Sequence, residues 1–223
     1  MATLYCGDCR EILPPLGVQV VITDPPYGVG IKYGAHYDDS RDKYWEWFLP
    51  ALATLRASCR TMVFTHRVNA LKEIRDWDWI GVWNKPGAFG ARIGNSCVLP
   101  HWEPIFMYGI HHQGTKSEYT ADVFTFNPEP AKAGTKGIGR EKWEAEFLTH
   151  PTPKPVPLYN QLVKSFAQDV DTVCDPFMGS GTTAQAALNL GKKFVGIELG
   201  PRFFDQACER IENMQRQERM FAV

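Results

Sequence analysis

The chain has 223 residues, of which 44% are hydrophobic and 22% charged, the ordinary balance of a soluble globular protein with one substantial core. Its 24 Lys plus Arg against 25 Asp plus Glu leave a net charge of −1, so there is no global pull toward nucleic acid and any DNA affinity must come from a local patch. No apolar run is long enough to span a bilayer and no cationic–apolar–cleavage pattern opens the sequence, so a cytoplasmic protein with no membrane contact is expected.

In chain order, residues 3–6 read as a short strand, and Gly7-Asp8-Cys9 turns into a brief helix through Leu13 that Asp8 can cap. Six cysteines are scattered along the chain, and only Cys6 and Cys9 form a C-x-x-C pair. Without a second pair or a nearby His pair this makes no zinc site, so reduced thiols and no metal are expected. The β-branched run 18–23 reads as a short buried parallel strand. It ends in Asp24-Pro25-Pro26-Tyr27, where two prolines fix φ and carry no N–H, forcing a stiff, extended exit from the sheet. Such a turn can simply end a strand around a buried tyrosine. It can also present the Asp24 carboxylate and the Pro25 carbonyl as two fixed acceptors beside an aromatic plate, Tyr27. Two acceptors and a plate suit a planar group bearing an exocyclic amine, such as the edge of adenine or cytosine.

Residues 28–40 are polar and glycine-containing with no apolar period, which suits a mobile loop over a site or an ordinary surface loop. A helical apolar stripe follows over 44–55, interrupted by Pro50 near its start. Then come a strand at 60–65, a helix at 68–74, and an alternating strand at 77–85 whose tryptophans are expected in the core. The glycine-rich stretch 85–96 leads to another strand at 103–108. From Arg56 to Arg92 seven basic residues (Arg56, Arg60, Arg67, Lys72, Arg75, Lys85, Arg92) stand against three acids (Glu73, Asp76, Asp78), marking either a phosphate-binding face or a solvated one. Residues 109–149 have no clear period. Their His111-His112 pair is no metal site, because adjacent side chains diverge and no third ligand is evident.

Residues 156–166 form a helix introduced by Thr152 and Pro155. Thr152 and Lys154 near its start suit an anionic group or a simple cap. Residues 172–183 then read as strand and glycine-rich turn, with a helix from Ala184 and a strand over 193–197 ending in Glu198. This is a dinucleotide-type βαβ arrangement, in which glycines admit a ligand to the backbone and an acid at the next strand end can hold ribose hydroxyls. No Lys follows Gly181, so it is not a phosphate-binding Walker loop. The final helix, about 202–217, carries Phe203, Phe204, Ala207, Ile211 and Met214 on one stripe and packs as scaffold.

Together, Asp24-Pro25-Pro26-Tyr27 and Asp175-Pro176-Phe177-Met178-Gly179-Ser180-Gly181-Thr182-Thr183 resemble the S-adenosylmethionine-dependent amino-methyltransferases of DNA. The order, catalytic motif first and cofactor loop last, resembles their β group, which is circularly permuted. Gly7-Asp8 with Leu13, Trp102-Glu103 after His101, and His150-Pro151-Thr152-Pro153-Lys154-Pro155 match as well, although Pro153 stands where the family usually has Glu or Gln. The resemblance implies a single-domain α/β, Rossmann-like fold with a mostly parallel seven-stranded sheet, helices on both faces and a small target-recognition insert within 109–149. It implies S-adenosyl-L-methionine as cofactor. Asp8 would accept from the cofactor's adenine amine beside the Cys9 backbone. Thr152 and Lys154 would hold its carboxylate, Asp175, Phe177, Gly179, Ser180, Gly181 and Thr182 would form its loop, and Glu198 would hold its ribose.

The resemblance further implies methyl transfer to the exocyclic N6 of adenine in double-stranded DNA by Asp24, Pro25, Pro26 and Tyr27, with the base flipped out and stacked on Tyr27. The Asp-initiated motif favours adenine over cytosine-N4. An RNA or protein-amide methyltransferase and a DNA-binding module without catalysis are the competing readings, and the intact Asp24, Tyr27, Gly179 and Glu198 argue against the last. A homodimer would enlarge the DNA-binding face.

Overall fold

In the computed structural model, residues 1–30, 43–86, 100–110, 119–128 and 154–221 are described, with side chains as far as residue 216. The strands are β1 (Ala2–Cys6), β2 (Val20–Thr23), β3 (Thr61–Thr65), β4 (Trp79–Asn84), β5 (Trp102–Tyr108), β6 (Val123–Thr125), β7 (Thr172–Asp175) and β8 (Lys193–Glu198). They form one sheet in the order β1-β8-β7-β2-β3-β5-β4-β6. The run from β1 to β3 is parallel, β5 is antiparallel to both β3 and β4, and β6 returns parallel to β4. The helices are α1 (Cys9–Ile12), α2 (Tyr44–Ala57), α3 (Val156–Phe166), α4 (Thr182–Asn189) and α5 (Pro201–Phe221), with 3-10 turns at Pro14–Leu16 and Val68–Lys72.

The central strands are hydrophobic without alternation because both of their faces are covered. Side chains point to opposite faces in turn, and two separate cores result. Val20 and Ile22 of β2 and Val63 of β3 pack with Leu158, Leu162 and Val163 of α3 and Ala184 and Ala187 of α4. Val21, Met62 and Phe64 pack on the other face with Phe48, Leu52 and Leu55 of α2 and Leu13. The same alternation splits β5, with Ile105 and Met107 in one core and Phe106 and Tyr108 in the other. This matches the expected α/β architecture with helices on both faces.

The seven expected strands are all present, and β6 is an eighth. Three residues long, it is too short to show a period, and it pairs with β4 inside the stretch read as aperiodic. The helix expected over 68–74 is a 3-10 turn. Helix α2 runs through Pro50 rather than being interrupted by it. Helix α4 begins at Thr182, ahead of the expected Ala184, because Gly181 turns into the left-handed region (φ +80) and caps it.

The topology places one crevice. From β7 the chain passes through α4 to β8 on one side, and from β2 through α2 to β3 on the other. Parallel neighbours β7 and β2 are therefore where strand order reverses, and ligands of open α/β sheets bind outside the carboxyl ends of strands at such a point.

Candidate active site at the carboxyl edge of the sheet

The two sequence motifs meet at that point. Asp24 follows β2, and Asp175 closes the adjacent β7. The Asp175 carboxylate is buried. It accepts from the Thr23 hydroxyl at the end of β2, the Thr183 hydroxyl in α4, and the Phe177 amide at 2.9 Å. Burial pushes its pKa up to about 6, against the pull of those three donors. Asp175 thus ties the glycine turn to the strand that carries Asp24.

Asp24 Oδ1 accepts from Thr65 Oγ1 of β3 at 2.6 Å and lies 3.2 Å from Lys154 Nζ. Lys154 also reaches Glu103 Oε2 at 3.3 Å, and the other Glu103 oxygen pairs with Lys85 Nζ at 2.8 Å. The Lys154 side chain is 10% exposed and that of Glu103 16%, so these charges have little water to compensate them. Burial raises the Asp24 pKa, and Lys154 and Thr65 only partly offset it. Burial opposes the Lys154 ammonium, but Asp24 and Glu103 outweigh it and raise the pKa. For Glu103 burial is likewise outweighed, by Lys154 and Lys85, and the carboxylate is favoured. The result is a mutually satisfied set of two anions and two cations.

Tyr27 stands over this cluster. Its hydroxyl donates to Glu103 Oε2 at 2.8 Å, Lys154 Nζ lies 4.4 Å from its ring centroid, and His66 stacks on it at 4.7 Å and 13°. Pro25 is buried and Pro26 half-buried, so the motif is a wall of the site rather than a surface turn.

The other expected residues lie along the neighbouring strand ends. Glu198 closes β8, where Oε2 accepts from the Gly179 amide at 3.1 Å and Oε1 from the Gly200 amide at 2.8 Å. Burial raises its pKa against these amides. Asp8, across from it after β1, caps α1 through the Arg10 amide at 2.9 Å and is forked by the Arg10 guanidinium, which lowers its pKa. Cys9 points inward, and burial pushes its thiol up to about 12, so only its backbone can serve a ligand. Phe177 is half-buried with its ring edge-on to Trp47. The Ser180 carbonyl is held by Arg210 of α5 at 2.8 Å, and Gly179, Gly181 and Thr182 are buried in the turn. Thr152 lies outside the described residues, as do most of the loops after Tyr27 and Lys85 and of the 109–149 insert.

Sequence reasoning gave no role to Thr65, His66 or Tyr44, counted Lys85 only within a basic stretch, and quoted Glu103 without a role. Two signals were present: the polar pair Thr65-His66 ending an apolar strand, and a lone acid, Glu103, heading the apolar run from Pro104. The basic excess between Arg56 and Arg92 is partly spent on structure. Arg60 pairs with Asp169, Arg56 covers the Tyr108 ring, Arg75 donates to the Leu71 and Ile74 carbonyls, and Lys85 belongs to the cluster above.

Residues 18–209 match the protein family described as DNA methylase. YubD of Escherichia coli (strain K12), a methylase by name, is 29% identical over 97% of this chain and 92% of its own length. Among solved structures, M1.HpyAVI in complex with SAM aligns with a TM-score of 0.61 at 21% identity, covering 95% of this chain and 99% of that one. The cytosine-N4-specific PvuII DNA methyltransferase aligns with a TM-score of 0.65 at 14% identity, over 93% and 85% of the two chains. At these identities the likeness of structure is a likeness of fold.

Proposed function

The chain belongs to the DNA methylase family of adenine-N6 and cytosine-N4 amino-methyltransferases, and from that premise we propose that it methylates the N6 amine of adenine in DNA. The choice of adenine rests on the Asp that opens the motif, and the amine chemistry on one observation. Asp24 and the Pro25 carbonyl stand at the carboxyl end of β2, directly beside the glycine turn that leaves β7.

The strand ends on the other side of that point fit S-adenosyl-L-methionine. The Glu198 carboxylate accepts from backbone amides on both oxygens and, with about four acceptor sites, keeps capacity for a ribose hydroxyl. Asp8 faces the same edge for the adenine amine, Phe177 offers an apolar ring, and Gly179 to Thr182 bring bare backbone to the ligand. Thr152 and Lys154 would serve its carboxylate. When bound, the cofactor supplies a sulfonium methyl, already a strong electrophile.

The protein's own work is therefore alignment and electrostatics rather than strong base catalysis. The adenine amine is a poor nucleophile because its lone pair is delocalised into the ring. With Thr65 and Lys154 on Oδ1, Asp24 Oδ2 takes one amine hydrogen and the Pro25 carbonyl the other. Nitrogen is drawn toward tetrahedral geometry, its lone pair is aimed, and Asp24 offsets the positive charge that develops. The amine cannot reach Asp24 from within a duplex, so the base is flipped out toward it.

Mass analysis of nucleosides from DNA incubated with the protein and S-adenosylmethionine tests the reading. N6-methyladenine is the expected product. N4-methylcytosine instead would overturn the choice of base while keeping the amine chemistry, as the fold likeness to the PvuII enzyme allows. No methylated base at all would overturn the function.

A further inference from the structure

His66 is fully buried at the end of β3, and the alignment scheme above does not use it. Both of its ring nitrogens are nevertheless committed. The Arg67 amide donates to Nδ1 at 2.9 Å, and Nε2 lies 2.7 Å from the Tyr44 hydroxyl. That hydroxyl has one proton, and it goes to the Pro26 carbonyl, which can only accept. Tyr44 must therefore accept from Nε2–H. One tautomer, neutral with its proton on Nε2, satisfies these three bonds together, and burial holds the imidazole pKa well below its ordinary value.

The other face of the arrangement is steric. The His66 ring stacks on Tyr27, and the buried Tyr44 ring stacks on Phe48 at 5.1 Å. Gly28 turns at φ +64 against Tyr44, where a Cβ would come within 2.5 Å of the Tyr44 ring. The last two residues of the motif and the glycine after it are thus held from behind, Pro26 by a hydrogen bond, Tyr27 by a stacked ring and Gly28 by close approach.

We propose that Tyr44 and His66 are positioning residues for amine methylation, a one-way hydrogen-bond relay from the Arg67 amide through His66 and Tyr44 to the Pro26 carbonyl that fixes the accepting motif in place. The proposal rests on the reading of Asp24 to Tyr27 as the transfer motif. No proton leaves the relay. Its effect is orientational, because Pro26 follows the accepting carbonyl directly and small misplacement of an aligning group is costly to rate.

Tyr44→Phe keeps the buried ring and removes only the O–H, while His66→Phe keeps a ring against Tyr27 and removes the relay. Each should lower single-turnover methylation about 3- to 10-fold, the range for one lost neutral hydrogen bond, with S-adenosylmethionine affinity by calorimetry unchanged. The double variant should be no slower than the slower single variant, since both break one relay. Multiplying losses in the double variant, or a Tyr44→Phe rate equal to the parent's, would overturn the proposal. So would a rate loss accompanied by an equal loss of cofactor affinity, the mark of general loosening. Should His66→Phe not fold, the Tyr44→Phe comparison decides alone. A parent protein that methylates no DNA would contradict the function itself and this role with it.

Discussion

Asp24 is the residue at which burial and charge compete most directly. Its carboxylate has to be ionised to accept from an amine, yet burial favours the protonated acid, and Lys154 at 3.2 Å is what pulls it back toward the anion. Activity limited by Asp24 is therefore lost as pH falls through its raised pKa. Lys154→Met keeps the length of the side chain and removes the charge, so the acid limb of kcat/KM should move to higher pH. A pH–rate profile measured with saturating cofactor checks this, and an unmoved limb would show that Lys154 does not govern Asp24. Asp24 itself was legible in the sequence because its partners Pro25, Pro26 and Tyr27 are contiguous with it. Lys154, Glu103, Thr65 and His66 were not legible in these roles, since they arrive on three separate segments and meet only when the sheet is assembled.

Between elements, the buried link is Asp175, which joins β7 and α4 to the end of β2. Its carboxyl rises from the ordinary 3.8 to about 6 on burial. A raised acid favours the folded state fully below its unfolded pKa, and that contribution is lost as pH rises through the folded value. At 1.36 kcal/mol per unit this is worth about 3 kcal/mol. His66, held neutral, contributes the opposite slope below its ordinary value, and the raised Asp24 and Glu198 add slopes of their own, so the parent alone would mix them. The difference between parent and Asp175→Asn isolates one of them. Urea denaturation should show the parent losing up to about 3 kcal/mol relative to the variant between pH 4 and pH 7, and a constant difference would contradict the linkage.

The elements themselves were readable where both faces of a strand are buried, as in the runs ending at Thr23, Thr65 and Asp175. They were unreadable where tertiary pairing rather than period decides, as at β6 and at the 3-10 turn Val68–Lys72. The Asp175 carboxylate, at the head of the glycine turn, faces the interior and ties β2 to α4, a role the sequence did not show. The pairing of β7 with β2, which no local pattern announces, is the reason.

For the whole molecule, the motif order matters because it puts the strand before Asp24 early in the chain and the glycine turn late, yet makes β2 and β7 sheet neighbours. The sequence shows both motifs, but only the strand order shows that they flank one crevice at the reversal point between β7 and β2. The central claim is that this crevice aligns an amine through Asp24. It is tested most directly by single-turnover methyl transfer from S-adenosylmethionine to DNA, comparing the parent with Asp24→Ala at matched cofactor occupancy set by calorimetry. The account predicts a rate loss of about 10²- to 10³-fold, the scale of removing one preorganised charge-stabilising group, with cofactor affinity unchanged. An Asp24→Ala protein that methylates DNA at the parent's rate would contradict it.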